Sequence, residues 1–238
     1  MKVLESGPTK LESLEASFAT AFPYASVSVA TNEFASDPSS VISNPLNPFV
    51  DSALSKALEG ISSISQDVTA LTTFLHLHIP KMEDGNNFGV TVQLSLLKQL
   101  DDLQDKASTK LEGLLGYAAA RADAMDKLKY SFPTPSTKSL TKSTTTSTSD
   151  DGKTEQKATE STEEKSSTTS LASPSVIEAA RIAAVVAVDT MYYSKAQTAL
   201  QSIMVLYMAV LDFMDKNKEK LEKPKGSEGS RSSYHSMY

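Results

Sequence analysis

Apolar residues recur at helical spacing in three long segments of the chain, and no segment alternates convincingly in the way that a half-buried strand requires. In the first segment an apolar residue returns every seven positions, and two leucines fill the same stripe: Leu54, Ile61, Val68 and Leu75, with Leu58 and Leu71. This pattern is typical of a helix packed in a bundle. We predict that the helix begins at Pro48, because proline suits the first helical position, and that Pro80 stops it.

The second segment begins near Gly89 and repeats a 4-3-4 spacing every eleven residues. Its apolar positions are Leu96, Leu100, Leu103, Ala107, Leu111, Leu114, Ala118, Ala122 and Met125. An eleven-residue period lies close to the natural helical repeat, so we predict one nearly straight helix over residues 89–129, about 60 Å long. Its charged positions between Asp101 and Glu112 indicate a solvated or subunit-facing flank, because a catalytic carboxylate pair needs a pocket.

The third segment opens at Ser173-Pro174-Ser175, with Glu178 placed as a capping-box partner. Its predicted buried stripe is Val185, Val188, Tyr192, Ala196, Ala199, Ile203, Tyr207, Val210 and Met214. Lysines near the end of the segment suit the C-terminal helix dipole, and we predict that Pro224 ends the helix. Tyrosine and methionine at helical spacing indicate core or subunit contacts rather than a cofactor pocket.

Residues 1–47 carry the weakest pattern. Lys10–Phe22 predicts a short first helix whose apolar face comprises Leu11, Leu14, Phe18 and Phe22, with Pro23 ending it. Ser26–Val29 is interpreted as extended, and Asp37–Pro48, with three prolines, as irregular.

Residues 132–173 change character abruptly, because serine, threonine, lysine and glutamate dominate them. Leu140 and Leu171 are the only large apolar residues between positions 134 and 173, too few to offset the entropy of ordering the chain. We predict a disordered insert between the last two helices. The domain division is therefore an N-terminal segment, 1–47, and a helical domain, 48–238, which contains the insert 132–173 and a flexible C-terminal tail, 226–238.

Composition narrows the classes of function. A chain of 238 residues can bury a core, and the absence of cysteine excludes disulfides, thiolate metal sites and a cysteine nucleophile. A net charge of −6 argues against nucleic acid as a partner. The sequence shows no secretory signal and no run of about eighteen apolar residues, so we expect no membrane partner.

Catalytic motifs are also lacking. No G-x-x-x-x-G-K-[ST] sequence is present for ATP, and the three histidines do not assemble a nucleophile, base and acid. His76 and His78 are two residues apart and so do not share a helix face, which argues against a metal site. We therefore expect a protein that is not an enzyme and that needs no cofactor.

The connection between the first two long helices stands out, because residues 79–93 read I-P-K-M-E-D-G-N-N-F-G-V-T-V-Q. Its carboxylates, amides and aromatic ring lie on a constrained turn, which suits contact with a partner. Turn chemistry alone offers a second interpretation, a helical-hairpin turn that is simply rich in asparagine and glycine.

This stretch resembles the activation loop of the 11S (REG) proteasome activators, whose signature is I-P-[KR]-[IM]-E-D-G-N-N-F-G-V. Residues 217–226, N-K-E-K-L-E-K-P-K-G, are similar to the family's motif at the end of its last helix, and the Ser-Met-Tyr ending resembles the family's endings. The resemblance implies an all-α protein: an antiparallel four-helix bundle subunit that assembles into a ring, with the disordered insert between the last two helices.

The resemblance also implies a function and its residues. The family's heptameric rings, of self or paralogous subunits, bind the α-subunit ring of the 20S proteasome through their C-termini and open its gate with the activation loop, without ATP. The implied activation loop is Lys81, Met82, Glu83, Asp84, Gly85, Asn86, Asn87, Phe88 and Gly89, and the implied proteasome-binding C-terminus is Ser236, Met237 and Tyr238. The implied location is cytoplasmic, nuclear or both.

A second hypothesis comes from another class of function. The chain would be a helical oligomeric scaffold that tethers partners through its disordered insert and does not contact the proteasome. The effect of the purified protein on latent 20S particles and a fluorogenic peptide discriminates between the two hypotheses.

Overall fold

Every regular element in the described part of the chain, residues 2–82, 87–129 and 174–225 of this computed structural model, is helical. In chain order the helices are α1 (Lys2–Ala21), α2 (Val27–Ala35), α3 (Pro38–Ser43), α4 (Pro48–His78), α5 (Phe88–Leu114), α6 (Tyr117–Asp126), a 3₁₀ turn (Lys127–Lys129), α7 (Pro174–Lys216) and α8 (Lys218–Glu222). The predicted all-α class is confirmed. The proposed insert, 132–173, lies outside the described residues.

The long helices alternate in direction, as expected for an antiparallel four-helix bundle. Phe22, just after α1, packs against Tyr193 near the start of α7, with ring centroids 5.3 Å apart, whereas Gly7 near the start of α1 lies against Leu211 near the end of α7. α1 therefore runs antiparallel to α7. The α5–α6 pair also runs antiparallel to α7, because Gln93 near the start of α5 contacts Leu221, which lies just beyond the end of α7.

The core lies along α7, which packs against α1, α4, α5 and α6. The heptad positions of α4 are all buried, and so is the predicted stripe of α7 except Val188, which is half-buried. The starts of α4 at Pro48 and of α7 at Pro174 agree with the sequence prediction. By length and composition alone, residues 178–216 are apolar enough to cross a membrane, with a mean hydropathy of 1.3. Packing against the other helices accounts for the apolar residues on the buried stripe of this helix.

The N-terminal predictions need correction. α1 starts at Lys2 and not at Lys10, and Gly7 is buried where α1 lies so close to α7 that any Cβ would overlap the Leu211 side chain. Ser26–Val29 is not extended, because the Ser26 hydroxyl accepts a hydrogen bond from the Val29 N–H and caps α2. Part of Asp37–Pro48 is also helical.

Side-chain caps explain where α3 and α4 begin. The Asp37 carboxylate accepts from the N–H groups of Ser39 and Ser40, with Pro38 in the first helical position of α3. The Asn47 side chain does the same for α4, accepting from the Phe49 N–H at 3.0 Å. Short helices of this kind carry too few turns for a clear period, so their caps were the available sequence signal.

The single helix predicted over 89–129 is wrong, since it breaks between Leu114 and Tyr117. At the break the Leu115 N–H donates to the Glu112 carbonyl, a tighter turn than the α-helix makes. Gly116 lies there against Tyr192 of α7, whose hydroxyl would be 2.8 Å from any Cβ at this position. A side chain at this position would therefore have to displace the Tyr192 hydroxyl, and the helix breaks at this contact with α7.

The break also changes which side chains are buried. Beyond it the predicted Ala118 and Ala122 are exposed, and the buried residues of α6 are Tyr117, Arg121 and Ala124. The buried face is thus shifted by one position from the eleven-residue pattern. A polar cluster around Asp189 accounts for the shift.

Asp189 of α7 is fully buried, and three side chains from two other segments, α6 and the residue before α4, surround its carboxylate. Tyr117 donates its hydroxyl at 2.8 Å, the Asn47 amide donates at 3.3 Å, and the Arg121 guanidinium Nε lies 3.1 Å from the carboxylate. Arg121 is itself 1% exposed and also donates to the Val41 carbonyl. Burial raises the pKa of the Asp189 carboxyl, and the three donors act in the opposite direction.

We expect Arg121→Met to destabilise the protein by about 3–5 kcal/mol, because it leaves the Asp189 carboxylate buried without its cation. Urea unfolding at neutral pH, followed by circular dichroism, measures the loss. The double variant Arg121→Met/Asp189→Leu removes both charges and should recover most of it. A loss below about 1 kcal/mol in the single variant would show that the pair contributes little.

Candidate functional site at the loop end of the bundle

The first residues of the predicted activation loop follow the end of α4. The helix ends at His78, and the Ile79 N–H still donates to the Leu75 carbonyl, so the chain leaves the bundle from a fixed point. Lys81 and Met82 are exposed, Met82 by 58%. The middle of the predicted loop, Glu83, Asp84, Gly85 and Asn86, lies outside the described residues.

The last residues of the predicted loop form the start of α5. Asn87 occupies the N-cap position, and its carbonyl accepts from both the N–H and the hydroxyl of Thr91. Phe88 is 60% exposed, although the Lys220 ammonium lies 4.4 Å from its ring centroid. Gly89 is buried. The loop therefore ends on ordered helical backbone with an aromatic ring facing outward.

The end of the described chain returns to the same place. α7 does not continue to Pro224 as predicted but ends at Lys216, because the Asn217 side chain competes for the helix backbone by donating to the Phe213 carbonyl. The chain then forms α8, which buries Leu221 to 1% exposure. The predicted proteasome-binding residues Ser236, Met237 and Tyr238 lie outside the described residues.

Three contacts join the start of α5 to this chain end, and we call them the loop–tail junction. Lys220 lies over the ring of Phe88, and Pro224 packs on Gly89. The third contact is a hydrogen bond of 3.0 Å that the Gln93 amide donates to the Leu221 carbonyl. A Cβ at Gly89 would overlap the backbone of Pro224. The described ends of the two predicted functional segments thus lie side by side.

Gln93 is the junction residue whose role the sequence did not reveal. It is 0% exposed although it is a polar amide, and its Oε1 has no hydrogen-bond partner among the described residues. The available signal was its position between Val92 and Leu96, where a glutamine interrupts an otherwise apolar face. A buried amide at such a position indicates a specific partner.

Of the two histidines near this end, His78 packs against its own helix, and His76 is exposed. The His78 ring stacks on Phe74 with centroids 4.0 Å apart, and its Nδ1 lies 2.7 Å from the Phe74 carbonyl. Across the described ranges, no group of three or more His, Asp or Glu side chains is arranged to hold a metal ion. Two cavities lie elsewhere: one of about 190 Å³ beside Asn47, and a groove of about 650 Å³ between Lys106 and Val205.

Residues 44–133 match the family model described as Proteasome activator PA28, C-terminal. This segment contains α4, the whole predicted activation loop, α5 and α6. The match therefore falls on the part of the chain that carries the loop signature.

Individual relatives match the chain over shorter stretches. Proteasome activator 28 of Dictyostelium discoideum is 40% identical over 55 residues, which are 23% of this chain and 24% of that protein. Proteasome activator complex subunit 3 of Homo sapiens is 28% identical over 75 residues, 32% of this chain and 30% of that protein. The matched stretches thus span less than a third of these curated relatives.

Among solved structures, the chain is similar to the 11S subunit of the Plasmodium falciparum proteasome, PA28, with 20% identity and a TM-score of 0.49. That similarity covers 74% of this chain and 56% of the other.

Many unrelated helical proteins have a loop between two long helices, so the class of this protein is narrowed by the sequence matches and not by the fold. The matches to residues 44–133 are with proteasome activators of the PA28, or 11S, type, and they agree with the resemblance identified from the loop signature.

We expect Gly89→Ala to destabilise the loop–tail junction, because its methyl group would displace Pro224. Gly113→Ala in the same helix is the matched control, since a Cβ there meets nothing within 4 Å. The free energy of unfolding of the control should rise by about 0.5–1 kcal/mol, because alanine has a higher helix propensity than glycine. That of Gly89→Ala should fall. Thermal unfolding, with amide exchange in α8, measures both. Equal stabilisation by the two substitutions would contradict the close packing at Gly89.

Proposed function

We propose that this chain is a subunit of an ATP-independent activator of the 20S proteasome. In this proposal a heptameric ring, of self or paralogous subunits, binds the α-subunit ring through its C-terminal tails and opens the gate with its activation loops. The chain itself performs no catalysis; it raises peptide hydrolysis by the proteasome. Its proposed location is the cytoplasm, the nucleus or both.

The observation that carries this proposal is the loop–tail junction, in a chain whose loop segment matches the PA28 family model. A gate opener that binds through its tail and acts through its loop needs both on the face that meets the partner. The described residues support such a face, since α5 begins there and both α8 and Pro224 pack against its first turns.

A division of labour between tail and loop follows from elementary binding energetics. One short tail binds weakly, but several tails on a ring bind with avidity, because each contact after the first is effectively intramolecular. The bound ring then holds each loop at a fixed height. A loop that contacts the open form of the gate better than the closed form shifts the gate toward opening without any energy from ATP.

We expect Asn86→Tyr to abolish stimulation of peptide hydrolysis and to leave ring assembly and proteasome binding intact, because the substitution alters the loop and not the tail. Hydrolysis of a fluorogenic peptide by latent 20S particles measures stimulation, and co-sedimentation measures binding. Full stimulation by the variant would show that the loop does not act on the gate.

Deletion of Met237-Tyr238 should have the complementary effect. Loss of the apolar end and relocation of the terminal carboxylate should abolish co-sedimentation with 20S particles, while native mass spectrometry still finds the ring of the unmodified protein. Undiminished co-sedimentation of the shortened protein would be evidence against a tail anchor. A protein that never forms rings and never stimulates would instead favour the scaffold hypothesis.

A further inference from the structure

Gln93 occupies a buried position, where an apolar side chain would avoid the free-energy cost of removing an amide from water. It is fully buried, it makes one hydrogen bond to the Leu221 carbonyl, and its own Oε1 has no partner among the described residues. A buried amide with only one of its groups bonded contributes little to stability. The Gln93–Leu221 hydrogen bond is better explained by the two segments that it joins, α5 and α8.

The connected group lies at the end of a helix. Leu221 is in the last turn of α8, where carbonyl groups lack partners within the helix. The Gln93 amide therefore caps the last described helix of the chain from the second turn of α5. The two residues that this hydrogen bond joins lie 128 positions apart in the sequence.

Two neighbouring contacts hold the same two segments on either side of this bond. Pro224 packs on Gly89 so closely that no other residue fits there without displacement, and Lys220 lies over the Phe88 ring. All three members from α5 fall within its first two turns: Phe88 and Gly89 are the last residues of the predicted loop, and Gln93 follows them. The segment that enters the tail thus cannot move relative to the end of the loop without breaking these contacts.

We propose that the loop–tail junction, with Gln93 as its positioning residue, couples tail binding to loop position. Tail binding fixes α8 and Pro224 against the partner, and the junction transmits that position to the first turn of α5 and so to the loop. This inference rests on the proposed function. It goes beyond the proposed function because it assigns the coupling between tail and loop to two contacts, the Gln93–Leu221 hydrogen bond and the packing of Pro224 on Gly89.

The test replaces Gln93 by methionine, which keeps the length and shape of the side chain but donates no hydrogen bond. Gln104→Met is the matched control, because Gln104 lies close to the same face of α5 but eleven residues, about 16 Å, further along the helix. For both variants and the unmodified protein, stimulated peptide hydrolysis by latent 20S particles is measured against activator concentration. The maximal stimulation and the half-saturating concentration are obtained separately.

The inference predicts a lower maximal stimulation in Gln93→Met, by up to about fivefold, since one buried hydrogen bond biases an equilibrium by roughly that factor. The half-saturating concentration and the subunit count by native mass spectrometry should stay unchanged, and Gln104→Met should match the unmodified protein. In the free ring, amide exchange of residues 87–93 and 218–223 should rise in Gln93→Met alone. Loss of binding in parallel with stimulation would show a merely structural role and overturn the inference.

Unchanged stimulation together with unchanged exchange in Gln93→Met would also overturn the inference. Failure of the proposed function has a different result, because the unmodified protein itself would then neither bind nor stimulate the proteasome. In that case the coupling is refuted as well, whatever the exchange rates show about the contact.

Discussion

The packing of α7 is the constraint on which the rest of the structure depends. Its apolar stripe extends from Val185 to Met214, and α1, α4, α5 and α6 cover it. At 1.5 Å per residue its 43 residues span about 65 Å, so α7 connects the two ends of the bundle. Both polar features discussed above, the Asp189 cluster and the loop–tail junction, take their positions from it.

Two polar contacts determine how the other helices align with α7. Near one end Asp189 draws Tyr117 and Arg121 of α6 and Asn47 before α4 to a single carboxylate. Nearer the other end of α7 the Tyr207 hydroxyl donates to Asp67 of α4, whose carboxylate also pairs with Lys10 of α1. Apolar burial alone permits sliding by a turn, whereas such pairs leave buried charge unmatched when they slip.

The sequence predicted the elements whose evidence is local and missed those decided by distant contacts. The heptads of α4 and the prolines at Pro48 and Pro174 contain the information needed for those helices. The turn at Gly116 cannot be predicted in this way, because the eleven-residue period continues through it and the residue that Gly116 contacts there, Tyr192, lies on the distant helix α7. The loop was identified from its own residues, but Gln93 meets Leu221 across 128 positions, a contact that no spacing predicts.

The position of the insert bears on the choice between the two functional hypotheses. The described residues flanking it, Lys129 and Pro174, lie at the Asp189 end of α7, and the loop–tail junction lies at the other. About 60 Å of helix separates them, since α7 rises 1.5 Å per residue from Pro174 to Lys216. The point at which the insert joins the bundle is therefore far from the surface that the proposed activator would present to the proteasome. The tail and loop variants separate an activator from a scaffold, because they alter the end of the bundle to which the insert is not attached.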